Sequence, residues 1–302
     1  RASGFDGFDA LSFFTSGGLG LLYNSSDLST LFQNSNGTAP VTTAGQSNGL
    51  TLDKSEELAR GTELSPDPSF NDASEYTLSA PITIVDGQLI NDGGSSSSNF
   101  ASTTAETPFV AGRFYEITVD LDADISGAEI FVRCHFTSVL TVAANSPAGI
   151  YKVIFQSNNN GSNININPRV NCTINSISIR EVLGNHADQT STSFQSKYQT
   201  SPDRKAFDGI DDRDDTALKP TTSGTLAVRM RSNTASKVAI GSQPASDGRC
   251  YLGLASDGSL AGGIGAQATS VIKGSADVRT AWVTGILTWD GSTVTLYQDG
   301  GS

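Results

Sequence analysis

The chain has 302 residues, and its 19 Lys+Arg against 31 Asp+Glu give a formal net charge of −12. That balance, with no cluster of Lys and Arg, excludes a nucleic-acid binder, because phosphate contact needs concentrated positive charge. No apolar run approaches the roughly 20 residues that a spanning helix needs, so no membrane span is expected. The length accommodates one large all-β domain or two ordinary ones. Thirty-one glycines and runs of Ser, Thr and Asn fit many short strands joined by tight polar turns. Cys134, Cys172 and Cys250 are too few and too odd for a disulfide scaffold. Cys134 and Cys172 could meet on adjacent strands, but buried free thiols are the expectation, and no C-x-x-C or His-rich spacing points to zinc.

In chain order, the segment 1–14, "RASGFDGFDALSFF", begins at Arg rather than Met, which is read as trimming or processing. It carries four phenylalanines in a Gly-rich context too short for its own core, which implies docking on another surface. From Phe114 a half-buried strand is predicted, with Ile117, Val119 and Leu121 inward and Glu116, Thr118, Asp120 and Asp122 outward. "EIFVRCHF" and "GIYKVIFQSNNNG" continue the alternation, the second with Tyr151, Val153 and Phe155 on one face. "NININPRVNCTINSISIREV" supplies at least two further strands, broken at Pro168, which suits an edge or a bend because proline cannot donate to a ladder.

The second half repeats the style. "TLAVRMRS" and "CYLGLASDGSLAGGIG" give short strands about an Asp257-Gly258 turn, and "AWVTGILTWDGSTVTLYQDG" gives a hairpin cornered at Asp290-Gly291. Val283, Leu287 and Trp289 share its inner side; Trp282 falls opposite and is the better ligand candidate. Tyr198 and Asp208 complete the candidate ligand-binding set. The fold class predicted is all-β: two β-sandwich (jelly-roll) domains, one inserted in a loop of the other, after an extended N-terminal segment.

"KAFDGIDDRDD", 205–215, crowds five aspartates into eight positions. An EF-hand needs Gly at position 6 and Glu at 12; counted from Asp212 those positions are Ala217 and Ser223, so that motif is excluded. Neighbours such as Asp211 and Asp212 would point to opposite faces of a strand, which does not make the facing pair that glycoside hydrolysis needs. The two histidines, His135 and His186, lie apart in sequence, each expected to serve packing or a turn. The expectation is a strand over 206–210 with Phe207 packed inward, then an acidic solvated loop. A loop calcium on Asp211, Asp212 or Asp214 stays open, and no other cofactor is expected.

Three resemblances rest on short motifs. "LTLDKS", 50–55, and "GNHADQ", 184–189, together resemble the D-x-S-G-N-x-H opening of laminin-G-like, concanavalin-type sandwiches; "AFDGIDD" and "LTWDGSTVTLYQDG" resemble a following strand and a late hairpin of those domains. In that reading 50–55 and 184–302 form the laminin-G-like sandwich and 1–49 is the lead-in. Residues 56–183 are then an insertion, whose closure entropy grows only logarithmically with length. Within it "GTELSPDPSF", "FVAGRFYEITVDL" and "INSISIREV" resemble carbohydrate-binding or galactose-binding-like jelly rolls, although Asn175-Ser176 stands where that pattern carries an acidic residue and Asn.

Finally, "LLYNSSDLSTLFQNSNGTAPVTTAGQSNGLTLDKS", 21–55, resembles a segment near the start of phage-encoded virion and tail-associated proteins. This resemblance implies a virion structural protein, a tail or head fibre, spike or decoration, assembled in a reducing bacterial cytoplasm. It further implies attachment to other virion proteins through the N-terminal segment, homo-oligomerisation, and lectin-like modules facing host-surface glycans. No enzyme is expected. The rivals are a capsule depolymerase, using Asp208, Asp211 or Glu129, and a secreted bacterial adhesin. The strand ladder is expected either to continue past "LYQDGGS" or to be completed by a partner chain or the N-terminal segment, since an open sheet edge recruits other strands.

Overall fold

A computed structural model describes residues 21–55, 58–94, 96, 98–134, 137–208, 212–215, 224–241, 250–264, 272–290 and 293–299. The segment 1–14, His135, Asp211 and the residues after Asp299 therefore lie outside the described residues. The fold is all-β, a β-sandwich jelly roll, and among the described residues the helical turns are short 3₁₀ pieces such as Leu28–Thr30. The chain divides into two compact units, 1–217 and 218–302. That boundary falls within the block 184–302.

In the first unit the lead-in forms β1 (Leu31–Phe32), β2 (Ser47–Asn48) and β3 (Leu50–Thr51). The sandwich itself uses β4 (Arg60–Glu63), β5 (Tyr76–Leu78), β6 (Ile82–Val85), β7 (Gln88–Asn91), β8 (Ala101–Thr103) and β9 (Phe114–Leu121). It continues through β10 (Ile130–Cys134), β11 (Thr137–Val142), β12 (Gly149–Gln156), β13 (Ile164–Pro168) and β14 (Cys172–Val182). Three short strands close the unit: β15 (Ala187–Asp188), β16 (Ser196–Gln199) and β17 (Arg204–Ala206).

One antiparallel sheet runs β11-β10-β13-β8-β5, and the other β12-β9-β14-β7-β6 with β4 added on β14. Their inner faces meet in a single core: Ile117, Val119 and Leu121 of β9 lie against Ile130 and Val132 of β10 and Ile164 and Ile166 of β13 in one cluster. The alternation predicted for β9 is realised residue by residue. On β14, Ile174, Ile177 and Ile179 are all buried although their spacing is odd. A register shift between Ile174 and Ser176 absorbs one residue and resets the phase, as a β-bulge does.

Some expectations are corrected. Of the two settings that suit Pro168, the chain takes the break and not the edge: β13 lies at the centre of its sheet, and Pro168 ends it opposite Ile130 before β14 begins at Cys172. It is tolerated because β8 pairs only with Asn165 and Ile166, so no ladder bond is required of it on that side. The strand predicted over 206–210 ends at Ala206, and Phe207 is 49% exposed rather than packed inward. Cys134 and Cys172 belong to opposite sheets and both are buried free thiols, pushed by burial to about 12.

The lead-in strands pair with the strands after the sandwich. β3 lies between β1 and β15, and β16 between β17 and β2. Thus 50–51 and 187–188, far apart in sequence, are antiparallel neighbours.

The second unit comprises β18 (Gly224–Met230), β19 (Lys237–Gly241), β20 (Cys250–Leu254), β21 (Ser259–Ile264), β22 (Ile272–Asp277), β23 (Val283–Trp289) and β24 (Val294–Gln298). Sheets β18-β23-β24 and β19-β20-β21-β22 share a core of Leu252, Leu260, Val283, Leu287 and Leu296. Two glycines let the layers interlock: a Cβ on Gly262 would meet Leu287 Cδ1 at 2.7 Å, and one on Gly285 would meet Leu260 Cδ1 at 2.9 Å. Trp289 is buried, and the Asp257-Gly258 turn forms with Gly258 at φ +84°, where a side chain would be strained.

Candidate functional site

The five-stranded sheet turns Phe131 and Arg133 outward, because Ile130, Val132 and Cys134 between them are buried. The same alternation puts Asn165 outside between buried Ile164 and Ile166, and Ser102 outside between buried Ala101 and Thr103. On β5, Thr77 is exposed beside buried Tyr76. On β11 a bulge between Val132 and Arg133 skips Val139, so that Ser138 rather than a valine stands opposite Arg133. Register then aligns Ser138, Arg133, Asn165, Ser102 and Thr77 in one row across all five strands. At the usual strand spacing the row is about 19 Å long. Among the described residues, none of these five side chains makes a hydrogen bond or an ion pair.

A second row sets Phe131 between Thr141 and Asn167. The guanidinium carbons of Arg133 and Arg169 lie 5.4 and 4.7 Å from the Phe131 ring centroid. Asn167 is buried and donates to the Asn99 carbonyl while accepting from Arg169 Nε at 3.3 Å. Arg169 also borders a shallow hollow of about 390 Å³ beside Ser126 and Gly127.

The outer face of the six-stranded sheet is organised differently. Glu116 pairs with Arg60 at 2.8 Å and Lys152 at 3.9 Å. Glu63 accepts from Ser178 Oγ at 2.6 Å, Ile179 N–H at 2.8 Å, Ser65 N–H at 2.9 Å and Arg180 Nε at 3.2 Å. Burial pushes the Glu63 carboxyl upward, but those donors outweigh it and hold the group below the ordinary glutamate value. The lead-in covers part of this side, where Phe32, Leu50 and Leu52 pack on Phe114 and Val182 with Ile154 against them. A cleft of about 200 Å³ between Phe32, Pro40, Lys152 and Ile154 is what remains open there.

Asp53, Ser55, Asn185 and His186, the residues of the D-x-S-G-N-x-H likeness, come together. Asp53 is fully buried. Its carboxylate accepts from Leu22 N–H at 2.6 Å, Ser55 N–H at 2.9 Å, Ser55 Oγ at 2.7 Å and Asn185 N–H at 2.7 Å. Asp53 N–H in turn donates to His186 Nδ1 at 3.0 Å, which leaves Nε2 to donate to the Val182 carbonyl at 2.9 Å. Burial lowers the His186 pKa, in keeping with this neutral tautomer. The carboxylate binds backbone N–H groups and not the imidazole, so these residues tie three chain segments together rather than activate a nucleophile.

No protein-family model matches the chain, and no curated protein does. Among solved structures the chain is similar to the "Mannan Binding Module from Man5C", at 13% identity and TM-score 0.29, covering 37% of this chain and 96% of that one. It is also similar to a variant of a carbohydrate binding module family 29, at 12% identity and TM-score 0.29, over 41% of this chain and 92% of that one.

The residues singled out in the sequence are distributed as follows. Tyr198 is buried against Leu31 and Val41, and its hydroxyl donates to Asp203 Oδ1 at 2.7 Å. Asp208 is exposed, and its N–H donates to Asp212 Oδ2 at 2.8 Å. Asp214 forms an ion pair with Lys205, whose Nζ also lies 5.7 Å from the Tyr23 ring. Asp211 lies outside the described residues. Among the described residues no three His, Cys, Asp or Glu side chains converge as a metal site would require. Trp282, in the second unit, is half-buried just before β23. The row on the five-stranded sheet was not foreseen. Alternation in "EIFVRC" and "NININ" marks Arg133 and Asn165 as outward, but their alignment depends on register and on the bulge in β11.

Proposed function

We propose that the chain is a non-catalytic glycan-binding protein whose recognition surface is the outer face of the five-stranded sheet. One observation carries this reading: the row Ser138, Arg133, Asn165, Ser102 and Thr77, whose polar groups have no partner among the described residues. Sugar hydroxyls both donate and accept, and amide and hydroxyl side chains do the same, while a guanidinium donates along a planar edge. Strands hold the row rigidly, so little ordering entropy opposes binding. These donors are neutral or cationic, and the binding mode requires no cofactor.

The display site we propose is a virus particle, as a fibre, spike or decoration protein. The likeness of 21–55 to virion and tail-associated lead-ins supports it, with 1–14 joining other virion proteins and with a homo-oligomer as the assembled form. The same proposal keeps 56–183 as an insertion between 50–55 and 184–189 of a laminin-G-like frame. The pairing of β3 with β15 and the network around Asp53 support that arrangement.

A glycan array probed with the full chain, in calcium and in chelator, tests the binding. Signal on host-surface polysaccharides that is indifferent to chelation is expected, and silence across the array would reduce the face to covering surface. Antibody labelling of particles, imaged by electron microscopy, checks the location.

A further inference from the structure

The glycan face proposed above also carries a selector among glycans. Arg133 and Arg169 both lie over the ring of Phe131, at 5.4 and 4.7 Å. Register sets them on opposite sides of it along the strand, since Arg133 is two residues on in β10 whereas Arg169 follows Pro168, the partner of Ile130. In the first unit Lys54, Arg60, Arg113, Lys152, Arg180, Lys205 and Arg213 each pair with a carboxylate among the described residues. Arg133 and Arg169 do not, and neither do Lys197 and Arg204, of which Arg204 donates to the Thr200 and Pro202 carbonyls; Arg133 and Arg169 are the two that share one aromatic ring, in a chain whose net charge is −12.

Two unneutralised guanidiniums on one ring repel each other, and an anion between them would relieve that. Stacking on an aromatic ring holds a guanidinium plane while leaving its N–H edge free for a bidentate acceptor. Ser138 and Asn165 flank Arg133 in the row and supply the neutral contacts a sugar ring would use.

We infer that the ligand is an anionic polysaccharide whose carboxylate or sulfate groups are received by Arg133 and Arg169, with Phe131 as the platform that positions both. This rests on the five-stranded face being the glycan site.

The test measures affinity of the full chain for two matched pairs by titration calorimetry: polygalacturonate against its methyl ester, and dextran sulfate against dextran. At least one charged member binds about tenfold tighter than its neutral partner, and its affinity falls as salt is raised. The charged pair that responds distinguishes carboxylate from sulfate. Arg133→Lys with Arg169→Lys keeps the charge and removes the fork, and weakens that binding about tenfold. Phe131→Leu weakens it with the arginines intact, while circular dichroism reports an unchanged fold. Equal affinity within each pair, or a lysine variant that binds like the parent, overturns the inference. Binding of the neutral polymers alone would refute the anionic selector and leave the glycan face standing. No binding to any of the four would remove both.

Discussion

The two outer faces of the sandwich are made from similar residue types, yet they manage their polar groups in opposite ways. On the six-stranded side Glu63 gathers five donors, Glu116 joins Arg60 and Lys152, and the lead-in packs Phe32 and Leu50 beside them. On the five-stranded side a row of equal polarity crosses all five strands with no protein partner among the described residues. Polar side chains that satisfy one another fix a fold, whereas those left to water on a rigid surface cost little until a ligand replaces the water. In the proposed reading, stability falls to one face and recognition to the other.

The largest effect should come from the network that fastens the lead-in. Asp53→Ala removes the acceptor of three backbone N–H groups, those of Leu22, Ser55 and Asn185, and of the Ser55 hydroxyl, and should cost about 4 kcal/mol in urea unfolding. A loss under about 1 kcal/mol would mean that the covered side is not anchored there. Next, Arg133→Ala with Asn165→Ala should weaken glycan binding about 100-fold, or about 2.7 kcal/mol, while moving stability by no more than about 0.5 kcal/mol.

On the other face Glu63→Gln should cost about 1–2 kcal/mol at neutral pH without touching affinity. Its carboxyl sits below the ordinary value in the folded state, so its contribution is present above the unfolded glutamate pKa and is lost as pH falls through the folded one. Parent and variant should then converge in stability on acidification. Divergence at low pH would contradict the assignment. The smallest effect belongs to Lys152→Ala, whose exposed ion pair should contribute under about 0.5 kcal/mol.

Much of the architecture was legible in the sequence because burial imposes period two on half-covered strands. Ile117, Val119 and Leu121 needed nothing more, nor did the hairpin of Val283, Leu287 and Trp289. Pro168 marked the break between β13 and β14, because a missing N–H is accommodated at a strand end as well as at an edge. Phe207 misled because β17 stops one residue earlier, at Ala206. Asp53 and His186 were visible as a motif, but that they meet across an intervening sandwich depends on long-range pairing. The row was illegible for the same reason. Ser138 stands beside Arg133 only because a bulge removes Val139 from the count, and cross-strand alignment is written in turn geometry and bulges rather than in either strand alone.

The most direct test of the central claim compares two double variants on one polysaccharide that the parent chain binds: Arg133→Ala with Asn165→Ala on the five-stranded face, and Lys152→Ala with Thr118→Ala on the six-stranded face. The account predicts loss of about 100-fold for the first and parental affinity for the second. Equal affinities for the two, or a loss confined to the second, would contradict it.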